Sequence, residues 1–139
     1  MTVITYEPNA TPTQDELVSL YSSVGWSIYA DDPHRLAGAI ASSLAVVTAR
    51  RSGELVGLAR LVGDGLTIVY VQDTLINPAD QRRGIGRELL RRLLEPYADV
   101  RQKVLITDDE DAQRAFYESM GFVDTRDLPY PIRTFTQFG

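Results

Sequence analysis

The chain contains no cysteine. Disulfides, thiolate metal sites and cysteine nucleophiles are therefore excluded. There is one histidine, His34, which has no second histidine to share a metal and reads as an exposed residue at a helix start. No run approaches the ~20 apolar residues a membrane span needs. Met1 to Tyr6 lacks the basic start and long apolar stretch of a signal peptide, so the expected location is cytoplasmic, with no membrane partner. Basic residues are the minority, 14 against 19 acidic, for a net charge of −5. Such a chain is a poor general nucleic-acid binder, because neutralising phosphates takes a basic face. The 139 residues, 44% of them hydrophobic, suit a single domain over 1–139 with a real core.

The positive charge is unevenly placed. Arg82, Arg83, Arg87, Arg91, Arg92 and Arg101 fall in one segment, and Asp108, Asp109, Glu110 and Asp111 follow it. A local basic patch in an acidic chain suggests a small anionic ligand rather than a polyanion. For Arg91 and Arg92 a solvated helix face is the alternative. The acidic run precedes a helix, where carboxylates satisfy free amides and the dipole, so no metal is expected.

Val3 to Tyr6 reads as a first strand. Thr13-Gln14-Asp15-Glu16 is a capping box, and a helix should follow through Leu17, Leu20 and Tyr21 to Gly25. A second helix should begin at Asp32-Pro33 with Leu36, Ala37, Ile40 and Ala41 on its apolar face. Leu44 to Ala49 and Leu55 to Val62 read as a hairpin about Arg51-Ser52-Gly53-Glu54. Leu66 to Ile76 is a third strand, closed by Asn77-Pro78. Gly84 to Glu95 is helical, with Leu89, Leu90, Leu93 and Leu94 in one stripe and Pro96 at its end. Val104 to Thr107 is a short strand and Ala112 to Met120 a last helix, stopped by Gly121. Phe122-Val123 and Thr134 to Phe138 are expected as closing strands. The expectation is an α/β domain with a mixed sheet of six to seven strands and about four helices.

Gly84 and Gly86 lie where a loop becomes a helix. Glycines let backbone and ligand approach closely, and the first helical amides have no partner within the helix. With the dipole they form an anion site suited to phosphate, to which Arg82, Arg83 and Arg87 could add charged contacts. A dinucleotide fingerprint is ruled out by leucine at position 89, and a Walker loop by the missing Gly-Lys-Ser/Thr. Taken alone, the hexapeptide could equally be a tight turn with no ligand.

Gln81-Arg82-Arg83-Gly84-Ile85-Gly86 matches every specified position of Gln/Arg-x-x-Gly-x-Gly/Ala. Ala115-Phe116-Tyr117-Glu118-Ser119-Met120-Gly121-Phe122 follows about thirty residues on. In these two motifs, in this order, the chain resembles the GNAT superfamily of N-acetyltransferases. The likeness runs from about Leu55 to Val123. Val24-Gly25-Trp26 and the helix after it are similar to a subgroup containing arylalkylamine acetyltransferases.

The resemblance implies a GNAT fold and an enzyme that moves the acetyl group of acetyl-CoA to a small-molecule or peptide amine. Backbone groups of Thr74, Leu75 and Ile76 would hold the pantetheine arm and acetyl carbonyl. Gln81, Arg82, Arg83, Gly84, Ile85, Gly86 and Arg87 would hold the pyrophosphate, and Phe116 would also contact the cofactor. Tyr117 would protonate the departing thiolate, which a phenol of pKa ~10 can do at neutral pH. Packing of a half-buried aromatic is the alternative for Tyr117. Trp26, Tyr29 and Tyr130 would line the acceptor site, or else pack in the core. A homodimer is compatible with the family.

The chain also departs from the family. Glu110 stands where many members have a cofactor-touching asparagine, and Val104-Leu105-Ile106-Thr107 has no carboxylate to act as base. Any base must therefore come from elsewhere or be water; Asp73 is the best side-chain candidate, because an aspartate within a β-rich run opposes strand formation and points to a function or a compensating hydrogen bond. A non-catalytic acyl-CoA-binding module and a protein-interaction module remain as alternatives to an enzyme.

Overall fold

The computed structural model describes residues 3–139; Met1 and Thr2, the start of the segment read for a signal peptide, lie outside the described residues. The chain divides into two compact units, Met1–Ile106 and Thr107–Gly139.

The first unit holds one five-stranded sheet in the order β1-β2-β3-β4-β5. Its strands are β1 (Ile4–Pro8), β2 (Ala45–Arg51), β3 (Glu54–Gly63), β4 (Ile68–Ile76) and β5 (Gln102–Leu105). The first four pair antiparallel in sequence order, and β5 joins β4 in parallel. Helices α1 (Gln14–Ser23), α2 (Ser27–Ala30) and α3 (Pro33–Ala41) come between β1 and β2, and α4 (Ile85–Leu94) between β4 and β5.

Local chemistry accounts for these boundaries. The Thr13 hydroxyl accepts from the Glu16 amide at 3.1 Å, and Glu16 accepts from the Thr13 amide at 3.0 Å, closing the capping box that starts α1. Ser52 and Gly53 have φ of 52° and 82°, the pair of positive values that a two-residue hairpin turn needs between twisted strands. The Asp64 carboxylate accepts from the amides of Leu66, Thr67 and Ile68 at 2.8–3.1 Å, tying the loop into β4. The additional helix α2 is a single turn after Gly25 and Trp26.

The sheet is covered on both faces. Leu17, Leu20, Tyr21, Leu36 and Ile40 of α1 and α3 pack on Leu58 and Leu75. On the other face, α4 buries Ile85, Leu89, Leu90 and Leu93. Gly57 lies beneath α4: a Cβ there would stand 3.1 Å from a Leu89 methyl.

The second unit holds α5 (Asp111–Ser119). Its Arg114 pairs with Glu118 and Asp124, each at 3.2 Å, and with Asp127.

The strand and helix counts correct the sequence reading: the described residues contain five strands and five α-helices. The two closing strands are not formed. Gly121, at φ 92°, ends α5. Its amide bonds Glu118 and the Phe122 amide bonds Tyr117, at 3.1 and 3.0 Å. This is a Schellman closure, and it spends the backbone of Phe122 on the helix end. Thr134 to Phe138 has no ladder partner among the described residues.

Candidate functional site

The site is built around the edge of β4. Its pairing with β5 runs only from Ile68↔Gln102 to Val71↔Leu105. Beyond Val71, among the described residues, β4 keeps a ladder on the β3 side alone. Peptide groups along the remaining edge are available to an added strand-like partner. The register of β4 also changes here. Leu61 pairs with Val71 and Arg60 with Asp73, so Gln72 is an extra, exposed residue in a bulge. Adjacent β3 residues point to opposite faces, and Val71 and Asp73 therefore do too. Asp73 and Leu75 face α1 and α3, whereas Thr74 and Ile76 face α4. The Thr74 hydroxyl is buried and has no hydrogen-bond partner among the described residues, an unusual state for a buried polar group.

A short loop leads from β4 to α4. Gln81 donates its side-chain amide to the Ile76 carbonyl at 3.2 Å, joining the end of β4 to the glycine segment. Asp80 is 1% exposed and bound by Arg51 at 2.7 and 3.2 Å; this guanidinium holds the Asp80 carboxyl below its usual range. Arg82 lies at φ 64°, a left-handed conformation that costs an L residue roughly 1–2 kcal/mol. Gly84 follows as N-cap of α4 at φ 79°, ψ 8°, and a Cβ added to it would meet nothing within 4 Å. Glycine is needed there for its backbone angle, and the space beyond it is open. The loop thus presents the amides of the first turn of α4 outward, with Arg82 and Arg83 exposed beside them. Ile85 is buried and Gly86 half-buried. The free amides of a helix N-terminus, two adjacent arginines and a strand edge beside them fit an anionic, extended ligand such as acetyl-CoA.

Asp73 sits apart from this edge, on the opposite face. It is 4% exposed. Its Oδ2 accepts from the Tyr21 hydroxyl at 2.8 Å and from Arg60 Nε at 2.6 Å. Arg60 Nη1 reaches the Ser43 hydroxyl at 3.3 Å. The geometry does not offer this carboxylate to an incoming amine, because it is enclosed and its charge is already paired. Burial and the adjacent carboxylate push the Tyr21 phenol far above its ordinary range, so that it remains a donor.

Tyr21, Trp26 and Tyr29 form a mutual edge-to-face cluster with centroids 5.8–6.3 Å apart, the favoured aromatic arrangement. Trp26 is half-buried and Tyr29 is 41% exposed. Tyr70, a residue the sequence reading passed over, shares the Asp73 face because of the bulge. Burial pushes its phenol above the ordinary range.

In the second unit, Tyr117 is half-buried between Phe116, at 5.0 Å and 71°, and Phe122, at 6.0 Å and 80°. Tyr130 is 59% exposed. Sequence reasoning missed Arg51, Arg60 and Tyr21. Each sits in an otherwise ordinary strand or helix pattern, and the available signal was an unpaired aspartate, Asp80 or Asp73, waiting for a cation.

Among the described residues, no helix is long and apolar enough to cross a membrane and no group of acidic or histidine side chains is arranged to hold a metal.

A family model described as an acetyltransferase (GNAT) domain matches residues 21–130. A GNAT-family acetyltransferase from Streptococcus pneumoniae is 33% identical with a TM-score of 0.80, over 97% of this chain and 100% of that one. The N-alpha-acetyltransferase RimI of Mycobacterium tuberculosis is 42% identical over 79 residues, 55% of this chain and 50% of that protein. An aminoglycoside N-acetyltransferase solved in complex with CoA shares the fold at 14% identity, with a TM-score of 0.73 over 96% of each chain. The chain spans about half the length of two of the curated relatives it matches, 43% and 50%. On the family match and on the streptococcal relative, the chain belongs to the GNAT acetyltransferase family.

Proposed function

We propose that the chain is an acetyl-CoA-dependent N-acetyltransferase that works on an amine in a ternary complex, as a single catalytic domain over 1–139. The observation that carries this is the run of unpaired β4 edge, joined through Gln81 to a helix N-terminus opened by left-handed Gly84. A strand edge suits the amide-bearing pantetheine arm, and a helix N-terminus suits the pyrophosphate. Thr74, Leu75 and Ile76 provide the backbone for the arm. Gln81, Arg82, Arg83, Gly84, Ile85, Gly86 and Arg87 form the phosphate cradle, and Phe116 adds a cofactor contact. The neighbour solved with CoA supports this assignment of ligand.

Acetyl-CoA supplies an activated acyl thioester. The amine attacks its carbonyl directly, since a chain without cysteine has no thiol to carry the acyl group. A β4 amide near Leu75 or Ile76 polarises that carbonyl. Tyr117 gives its proton to the departing thiolate. Trp26, Tyr29 and Tyr130 line the acceptor side. The amine loses its proton to water rather than to Asp73, which is enclosed by Arg60 and Tyr21. Most of the rate enhancement comes from holding two substrates together.

The test is an acceptor screen that follows release of free CoA thiol across small amines, amino sugars, amino acids and peptides with free N-termini. Release that depends on a particular amine supports the reading. Tight acetyl-CoA binding with no release across the panel would instead indicate a non-catalytic acyl-CoA-binding module.

A further inference from the structure

The Arg60–Asp73 pair is out of place in an apolar layer. Both residues are nearly closed to solvent, at 7% and 4% exposure, and taking two charges out of water is costly unless their geometry is very good. Their position suggests what that cost secures. Arg60 and Asp73 are cross-strand partners at the step where the β3–β4 register shifts. An extra residue in a strand can be accommodated at neighbouring positions, and sliding by one residue turns every following side chain to the other face. In a strand of leucine, isoleucine and valine, hydrophobicity alone discriminates poorly between such registers. A charge does better. Slipped by one, Asp73 would face the apolar side of α4, with neither Arg60 nor Tyr21 in reach.

We propose that Tyr21, Asp73 and Arg60 form a clamp that locks the β4 bulge in one register and so positions the backbone of Thr74, Leu75 and Ile76 for acetyl transfer. None of the three is a catalytic residue; they are positioning residues, and the proposal rests on the reading that β4 receives the acetyl group. Arg60 clamps from β3, across the bulge. Tyr21 clamps from α1, and its ring packs edge-to-face on Trp26 and Tyr29. The clamp therefore also ties the β4 backbone to the aromatic cluster on the acceptor side.

Tyr21→Phe is the variant of choice. It keeps the ring and its packing, leaves the ion pair intact and removes one hydrogen bond to Asp73. Two readouts are taken, amide hydrogen exchange of the unliganded protein and steady-state kinetics on an acceptor found by the screen. The expected result is faster exchange confined to residues 72–76, with β2 and α4 at wild-type rates. With it, kcat falls on the order of tenfold, since small misplacements of reacting groups are costly, while KM for acetyl-CoA changes little. Adding Asp73→Asn should cost less than the sum of the two single changes. Unchanged exchange at 72–76, or an increase spread evenly through the first unit, overturns the clamp. So does kcat that falls only in proportion to the folded fraction. If wild-type protein acetylates nothing, the transferase reading fails, and the exchange result alone decides whether the clamp holds the bulge.

Discussion

An aspartate among valines, leucine and tyrosine must find partners within the fold, and Asp73 finds two. Its enclosure by Arg60 and Tyr21 leaves Tyr117 as the side chain on which the proposed chemistry depends. Tyr117→Phe preserves the ring that packs between Phe116 and Phe122. It should lower kcat ~10²–10⁴-fold while leaving acetyl-CoA affinity close to wild type. Turnover at the wild-type rate would assign Tyr117 to packing instead. The need of Asp73 for a partner was legible in the sequence, but the identity of its partners was not. Arg60 is a lone charge inside an apolar strand, thirteen residues before Asp73, and the Gly63-Asp64-Gly65 turn between them makes a hairpin. A turn confined to those three residues would set Arg60 opposite Ile68; the ladder instead closes at Gly63↔Val69 and bulges before Arg60↔Asp73, a register the turn motif does not reveal. The bulge at Gln72, which turns Asp73 toward α1, has no comparable signal, because strand alternation looks the same on either side of it.

At the scale of elements, α1 depends on its first turn. Thr13→Ala removes the hydroxyl that accepts from the Glu16 amide and should cost about 1 kcal/mol, read from the denaturation midpoint at unchanged slope. Glu16 also binds Arg50, and this guanidinium, with the Thr13 amide, holds the Glu16 carboxyl at about 2, against an ordinary 4.5. The folded state thus prefers ionised Glu16 more than the unfolded state does. Its contribution is complete above about 4.5 and is lost as pH falls toward 2. Melting temperature should drop over that window, and Glu16→Gln should both lower stability at neutral pH and shallow the acid drop. An identical acid profile in the variant would assign the loss to other carboxylates. The capping box, the hairpin at Ser52-Gly53 and the glycine start of α4 were all legible, because each depends on local hydrogen bonds or a local backbone angle. The closing strands were not. Whether 122–123 or 134–138 forms a strand depends on a distant edge, and their composition carries no information about that edge.

At the scale of the whole molecule, the features that agree are of different kinds. A motif at 81–86, an unpaired strand edge, a left-handed glycine and a family match over 21–130 all point to one ligand, while none of them names the acceptor amine. The central claim is therefore acetyl-CoA binding at the start of α4. It is tested most directly by calorimetric titration of acetyl-CoA into wild-type protein and into Gly84→Val, with a melting curve for each. A Cβ at this position meets no neighbour within 4 Å, so the variant should fold, with some loss of stability from the strained backbone angle. Its branched side chain fills the space in front of the first amides of α4. Wild-type protein should bind saturably and gain about 2.7 kcal/mol of stability at a hundred times Kd, and Gly84→Val should show neither heat nor a shift in melting. Wild-type protein whose melting ignores saturating acetyl-CoA, or a folded Gly84→Val that binds as tightly as wild type, would contradict the account.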